Sequence, residues 1–249
     1  MIKDIAIEFL KTKRSKSFFL TFLVIGITLL WMMAILTKYS SSSQYHDMRI
    51  IYYGVLDVET LMLPIFLSVF VARIFEIERS GNALKLMAIN GQSVTNIFWS
   101  KLFLTMIVGG IFSLLESFVM LLVAKMEQIS WSIKELLFKN LINLSFIFVL
   151  VCVFLMISLF IKKQELVIAS GFIGGFIGFM LHRSSFISLI IPFGGIRYLS
   201  LVNMKVVAGK VILEMNQQIG FHFIIYIIYM IVLCSLLRYL LNMKGKKKE

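Results

Sequence analysis

Three carboxylates lie within long apolar stretches of the sequence, where charged side chains are rare. Asp57 and Glu59 lie near the start of one stretch, and Glu116 lies well inside the next. A charged side chain at the centre of a bilayer costs roughly 2.5 to 3.5 kcal/mol on the translocon scale, so it needs a partner or a task. A carboxylate at such a depth is suited to contact a cationic group. We therefore take Glu116, Asp57 and Glu59 as candidate residues of a substrate path.

A purely structural role is the alternative for each of these acids. Glu116 shares a helical face with Ser113 and Met120, which predicts that it points at protein or at a cavity and not at lipid. It could therefore be a carboxyl that is simply hydrogen-bonded to a neighbouring helix. Asp57 and Glu59 could instead reach the lipid headgroups. Both readings stay open from the sequence.

A second group of residues with a possible task lies between two apolar stretches, from Arg73 to Lys101. Charged residues open this segment, an apolar patch follows at residues 84–89, and Asn90-Gly91 is a turn signal. Ser93 can then cap a helix. The pattern predicts two short helices around a tight turn, and the segment is far longer than a simple connection needs. It therefore predicts a docking surface for a soluble partner.

The composition indicates which elements must position these residues. Hydrophobic residues make up 59% of the 249 residues and charged residues only 15%, against about 45–50% and 25% in soluble domains. These values exclude a soluble domain and a disordered chain, and two cysteines exclude a disulfide scaffold. The sequence predicts an all-α membrane protein. Six stretches approach the roughly 20 apolar residues that a spanning helix needs, at residues 18–36, 55–75, 102–124, 141–161, 166–181 and 221–241.

The fifth stretch differs from the others because it is the shortest and the richest in glycine. It contains Gly171, Gly174, Gly175 and Gly178. Glycines spaced by four residues allow another backbone to approach closely. We expect this helix to pack against another span, with a subunit interface as the second possibility.

Lys and Arg residues concentrate at both ends of the chain, which predicts the orientation. Cytoplasmic segments retain basic residues, and an even number of spans places both termini on the same side. Residues 1–17 have an amphipathic pattern that predicts an interfacial elbow helix, with an ordinary basic stop as the alternative. Residues 76–101 are then cytoplasmic and residues 182–220 lie outside. The outer loops include Lys139 and Arg197 within an excess of bases that suits anionic headgroups.

The cytoplasmic segment has the pattern Glu76-x-Glu78-Arg79-x-Gly81, then Lys85-x-Met87, then Gly91-x-Ser93. This pattern resembles the coupling segment of ABC-2-type transporter permeases. The resemblance implies an ABC-2 permease fold, like that of type V exporters, as a single membrane domain over residues 1–249. It also implies ATPase-coupling roles for the quoted residues and a pair of short outer helices within residues 182–220. The small size and the abundance of Phe, Ile and Met most resemble the lantibiotic-immunity permeases.

The resemblance implies several partners and a location. The expected partners are two cytoplasmic ABC ATPase subunits, a second permease that is identical or related, membrane lipids and a peptide substrate. No nucleic acid is expected. The chain has no G-x-x-x-x-G-K-[ST] motif, so we expect it to bind no cofactor and the partner ATPase to use the ATP. A bacterial plasma membrane with both termini in the cytoplasm is the expected setting.

The predicted function is to expel a lantibiotic or a similar amphipathic peptide, and several alternatives remain. An ABC-2 permease for another lipid-like or drug substrate is the nearest one. A self-contained secondary transporter would need repeated halves and ionisable residues near the midplane. A membrane-embedded enzyme would need a nucleophile with a base, and the sequence offers no such motif. A non-transporting sensor or assembly subunit is the last alternative.

Overall fold

The computed structural model describes residues 9–10, 12, 17–42, 47–80, 94–161, 163–181, 185–207 and 210–246. Its elements, in chain order, are α1 (Ser17–Ser42), α2 (Met48–Ser80), α3 (Val94–Met126), α4 (Ile133–Phe160), α5 (Gln164–Met180), α6 (Ser185–Ile190), a 3₁₀ turn (Pro192–Gly194), α7 (Gly195–Tyr198), β1 (Val202–Val207), β2 (Lys210–Met215) and α8 (Ile219–Lys246). The predicted elbow, residues 1–17, lies mostly outside the described residues.

Five helices of the described part are long and apolar enough to cross a membrane. These candidate spans are Phe19–Ser40, Met48–Ile77, Phe98–Met126, Ile133–Phe160 and Ile219–Leu241. The chain is therefore a multi-pass membrane protein. Helix α5 is also apolar, but its 17 residues reach only about 26 Å at 1.5 Å per residue, less than the roughly 30 Å of hydrocarbon. A sixth complete span stays a prediction.

The helices extend beyond the apolar stretches, so several helices are longer than the spans predicted for them. Helix α2 runs from Met48 to Ser80, past both ends of the predicted span 55–75. Helix α3 begins at Val94 and runs unbroken to Met126, so the second short helix predicted in the cytoplasmic segment is the first part of α3. Backbone hydrogen bonds continue a helix through polar residues. Hydropathy therefore marks the membrane-embedded part and not the helix ends.

The fold is helical as predicted, and the outer segment adds a two-stranded hairpin to it. This segment contains the two short helices that the resemblance implied, α6 and α7, and then the antiparallel strands β1 and β2. Val202 pairs with Met215 at the open end. The valines and isoleucine of these strands favour extended backbone. Arg49 at the start of α2 holds the hairpin by donating a hydrogen bond from Nη1 to the Leu213 carbonyl oxygen at 3.0 Å.

The glycines of α5 allow close packing against α2 and against the outer segment. A Cβ atom added at Gly175 would lie 2.5 Å from the Leu61 carbonyl oxygen. One added at Gly178 would lie 2.5 Å from the carbonyl oxygen of Phe193, in the 3₁₀ turn. Both distances are shorter than van der Waals contact. The prediction that this helix packs against another span is confirmed.

Two apolar clusters form the interior of the bundle. One cluster includes Phe66 of α2 and Phe112 of α3, whose rings stack with centroids 5.3 Å apart. The other lies closer to the outer segment and includes Ile51, Val123 and Tyr226. Helices α2, α3 and α4 contribute to both clusters. Their buried polar residues carry the candidate site.

Candidate functional site

Two of the predicted acids meet at one lysine inside the helix bundle. The ammonium nitrogen of Lys139, on α4, lies 2.7 Å from Glu59 Oε1 and 2.7 Å from Glu116 Oε2. The side chains of Lys139, Glu59 and Glu116 are only 7%, 2% and 0% exposed. Three helices, α2, α3 and α4, thus bring one charge each to a single buried point. The expectation that Glu116 points at protein is confirmed.

The amide of Asn143 completes this cluster. Its Nδ2 lies 2.8 Å from Glu59 Oε1, 2.7 Å from Glu116 Oε2 and 3.2 Å from Ser113 Oγ. Asn143 follows Lys139 by four residues, so both side chains leave the same face of α4. An amide nitrogen has only two hydrogens to donate, so its three acceptors compete.

The cluster contains more hydrogen-bond acceptors than its donors satisfy. Two carboxylates face one ammonium group, and the described residues add no second cation at this point. Glu116 Oε1 and Asn143 Oδ1 are buried and have no hydrogen-bond partner among the described residues. A buried acceptor without a donor costs about 1–3 kcal/mol. Such a cost is a reason to look for a ligand or a function here.

A cavity of about 20 Å³ lies between this cluster and the outer segment. Tyr52, Glu59 and Lys139 line its inner side, and Leu199 and Ser200 line its outer side. The volume is enough for one water molecule, and the polar groups that line it suit one. The cavity therefore joins the buried charges to residues of the outer segment.

Asp57 lies in a separate ion pair that attaches the outer segment to the bundle. Its Oδ1 accepts a hydrogen bond from Nη2 of Arg197, on α7, at 2.6 Å. The hydroxyl of Tyr39, on α1, donates to Asp57 Oδ2 at 3.2 Å. The Arg197 guanidinium also lies over the Phe179 ring of α5, 5.9 Å from its centroid. This one pair therefore joins α1, α2, α5 and α7.

The cytoplasmic candidates are only partly described. Glu76 lies in the last turns of α2 and accepts hydrogen bonds from Arg73 Nη1 at 2.8 Å and from Gln164 Nε2, at the start of α5, at 2.9 Å. Glu78 and Arg79 lie in the last turn of the same helix. The other predicted coupling residues lie outside the described part: Gly81, Lys85, Met87, Gly91 and Ser93. Their role stays a prediction.

Sequence reasoning missed the partners of the acids. Lys139 and Arg197 were expected among outer-loop bases that contact headgroups, but both are buried and pair with the acids. The alternative in which Asp57 and Glu59 reach headgroups does not fit these pairs. The predicted fourth span began at residue 141, after Lys139, because a charge interrupts an apolar run. The i, i+4 spacing of Lys139 and Asn143 was the signal that could have placed both inside the bundle.

The cluster can hold a cation of ammonium size. Within the described ranges, no three His, Cys, Asp or Glu side chains come close enough to hold a metal ion.

Comparisons with known proteins identify the family. A family model described as an ABC-2 family transporter protein matches residues 5–178, about 70% of the chain. This match includes α1 to α4 and nearly all of α5, and therefore all members of the Glu59–Lys139–Glu116 cluster. No curated protein and no solved structure matches the chain.

Proposed function

Because the chain belongs to the ABC-2 family of transporter proteins, we propose that it expels a lantibiotic or a similar amphipathic cationic peptide from the membrane. It is a membrane permease subunit, and permeases of this family normally work with ABC ATPases. We infer a complex of two such ATPases with this permease and a second one, identical or related. The setting is a bacterial plasma membrane with both termini in the cytoplasm. Protection of the producing cell is the biological result.

The observation that carries this proposal is the position of the buried acids. Glu59 and Glu116 are buried, and Glu59 lines a cavity together with Tyr52 and with Ser200 of the outer segment. A peptide that inserts from outside reaches the outer leaflet first. Negative charge near that leaflet supplies the attraction that a cationic peptide needs, because opposite charges attract strongly where water is excluded.

Cells that are sensitive to a lantibiotic test the proposal. Producing this permease together with its ATPase should raise the lantibiotic concentration that the cells survive. The control is the same pair with the ATP-binding lysine of the ATPase replaced. Protection that persists with the inactive ATPase would contradict ATP-driven export and favour a secondary transporter. Resistance to a lipophilic drug without any protection against the peptide would favour the other substrate class.

The coupling role of residues 76–101 has its own test. Glu78→Lys, or a bulky insertion at Gly91, should release the ATPase from the purified permease and abolish substrate-stimulated ATP hydrolysis. Lys125→Glu is the matched control, because it reverses an exposed charge at the opposite end of α3. Unchanged co-purification and unchanged stimulated hydrolysis in both variants would contradict the coupling assignment.

A further inference from the structure

Lys139 occupies a position that a ligand could share. Its ammonium is the only donor group with a full charge that contacts both carboxylates in the described part, at 2.7 Å each. An ammonium has three hydrogens to donate, and two of them satisfy Glu59 Oε1 and Glu116 Oε2. The lysine thus shows directly which chemical group the surrounding oxygens accept.

The groups around Lys139 can accept more hydrogen bonds than Lys139 donates. Glu116 Oε1 is fully buried without a partner, and so is Oδ1 of Asn143, whose amide nitrogen contacts both carboxylates. Two carboxyl groups also face the single ammonium. Two observations, a pair of carboxyl groups at one ammonium and two spare buried acceptors, therefore indicate that the site can accept more hydrogen bonds than the lysine donates.

The path from the outer segment to Glu59 and Lys139 is short. The cavity of about 20 Å³ touches Glu59 and Lys139 on one side and Leu199 and Ser200 of the outer segment on the other. Ser200 follows α7, which Arg197 fixes to Asp57 of α2. Displacement of this short segment would open the cavity to the outer surface without separating α2, α3 and α4.

We propose that Glu59, Glu116 and Asn143 form a primary-ammonium site that Lys139 occupies at rest, and that an amine of the transported molecule takes the place of Lys139 during export. This inference rests on the proposed function and names the group that is recognised. A primary ammonium is present on the lysines of a cationic peptide and on the ethanolamine headgroup of lipids. A guanidinium is planar and larger, so it fits this point contact less well.

The first experiment tests the site itself and does not depend on transport. Lys139→Ala removes the ammonium and leaves room for a small amine. The purified complex carrying this variant should melt at a lower temperature than wild type, and propylammonium should restore about half of the loss or more. Propanol and tetramethylammonium should restore nothing. Lys134 is an exposed lysine on the same helix, and Lys134→Ala is the control that should neither lose stability nor respond to propylammonium.

A second variant keeps the test valid if Lys139→Ala alone does not fold. The double variant Glu116→Gln and Lys139→Ala removes one negative charge together with the positive one, so Glu59 and Asn143 remain to bind an amine. Propylammonium should stabilise it too, by a smaller shift. Absence of any stabilisation by propylammonium in whichever variant folds would overturn the proposal.

The second experiment identifies the source of the amine. The permease–ATPase complex is placed in vesicles of phosphatidylglycerol alone, and ATP hydrolysis is measured with a lysine-containing amphipathic peptide and with its arginine counterpart of equal charge. Stronger stimulation by the lysine peptide, several-fold at the same concentration, would support peptide recognition at this site. Equal stimulation by both would overturn it. Stimulation by added phosphatidylethanolamine in place of the lysine peptide would keep the ammonium site but contradict the peptide substrate.

Discussion

The balance of charge around Lys139 makes Glu116 the most informative residue to change. Glu116→Gln removes one of two carboxylates and leaves Glu59 and Lys139 as a neutral pair at 2.7 Å. We expect this variant to be produced and to assemble like wild type, because no uncompensated charge is created. It should nevertheless lose most of its protection against a cationic lantibiotic, since one of the two carboxyl groups that would contact the cation of the peptide is gone. Survival curves, with membrane levels of the protein measured in parallel, check this outcome.

Comparison variants separate the charge of Glu116 from its packing. Glu59→Gln also leaves a neutral pair with Lys139, so it should behave in the same direction. Lys139→Met instead removes the positive charge, so two buried carboxyl groups lose their cation. Removing one partner of such a buried pair costs about 3–5 kcal/mol of stability. Full protection in both Glu116→Gln and Glu116→Ala would reduce Glu116 to a packing residue.

For individual residues, the sequence predicted the burial of Glu116 but not the partners of the acids. The helical face shared with Ser113 and Met120 was enough to predict that Glu116 is buried, and all three are buried. The partner on α4 could not be predicted from apolar runs, because Lys139 precedes the run that begins at residue 141 and was assigned to a loop. The pairing of Asp57 with Arg197 joins residues 140 positions apart. No local sequence pattern predicts a contact between residues so far apart in the chain.

Among the elements, helix α5 is the one whose packing depends most on glycine. A Cβ at Gly175 would meet the Leu61 carbonyl oxygen at 2.5 Å, and backbone atoms cannot move as a side chain can. We expect Gly175→Ala to destabilise the purified protein by about 1–3 kcal/mol, the usual cost of overpacking. Thermal unfolding of the detergent-solubilised protein measures the change.

Gly26 provides the matched control for this prediction. It also lies within a helix, α1, but a Cβ there would meet nothing within 4 Å. Gly26→Ala should be neutral or slightly stabilising, because alanine favours the helix by roughly 1 kcal/mol. Equal melting temperatures for the two variants would contradict the packing of α5 against α2.

The outer segment depends on one buried ion pair. Arg197→Ala leaves Asp57, which is 14% exposed, without its cation, and should loosen the segment. The exchange variant, Asp57→Arg with Arg197→Asp, should recover part of the loss, with a coupling energy of about 0.5–3 kcal/mol. Protease cleavage after the hairpin and thermal unfolding both report the change. Additive losses in the exchange variant would show that the two residues do not stabilise each other.

The same segment shows the limit of reading elements from hydropathy. A span is predictable because the bilayer requires about 20 apolar residues in a row, and α1 to α4 and α8 follow that rule. The hairpin of β1 and β2 obeys no such requirement, because it lies outside the apolar runs. Each of its strands has only six residues, so an alternation of apolar and polar side chains has little length in which to show. The identification of short helices there came from the family resemblance and not from the pattern of residues.

For the molecule as a whole, α5 connects its two functional regions. Its first residue, Gln164, binds Glu76 in the last turns of α2, at the end that is predicted to be cytoplasmic. Its last turns pack against Phe193 and place Phe179 beside Arg197. Helix α8, in contrast, has few fully buried residues, among them Tyr226 and Leu237, so lipid or a second permease must cover its exposed apolar surface. The chain thus combines a tightly packed set, α2 to α5, with a peripheral last helix.

The orientation of the whole molecule is the final prediction. Basic residues at both ends and an even number of spans predict that the hairpin faces the outside and that residues 76–101 face the cytoplasm. A variant without Cys152 and Cys234, the two cysteines of the chain, provides the background for single cysteines at Asn203 and at Gly91. In intact cells an impermeant maleimide should label Asn203→Cys and leave Gly91→Cys unlabelled until the membrane is opened.

A third position makes this test stricter. Ser41, at the end of α1, should also be labelled from outside, because α1 crosses the membrane from a cytoplasmic N-terminus. If Ser41→Cys and Asn203→Cys were blocked while Gly91→Cys was labelled, the orientation and the ATPase-coupling role of residues 76–101 would both be wrong. The carboxylates of Glu59 and Glu116 would then lie towards the cytoplasm. Capture of a peptide from the outer leaflet would no longer be their task, because a peptide arriving from outside would meet the opposite end of the bundle.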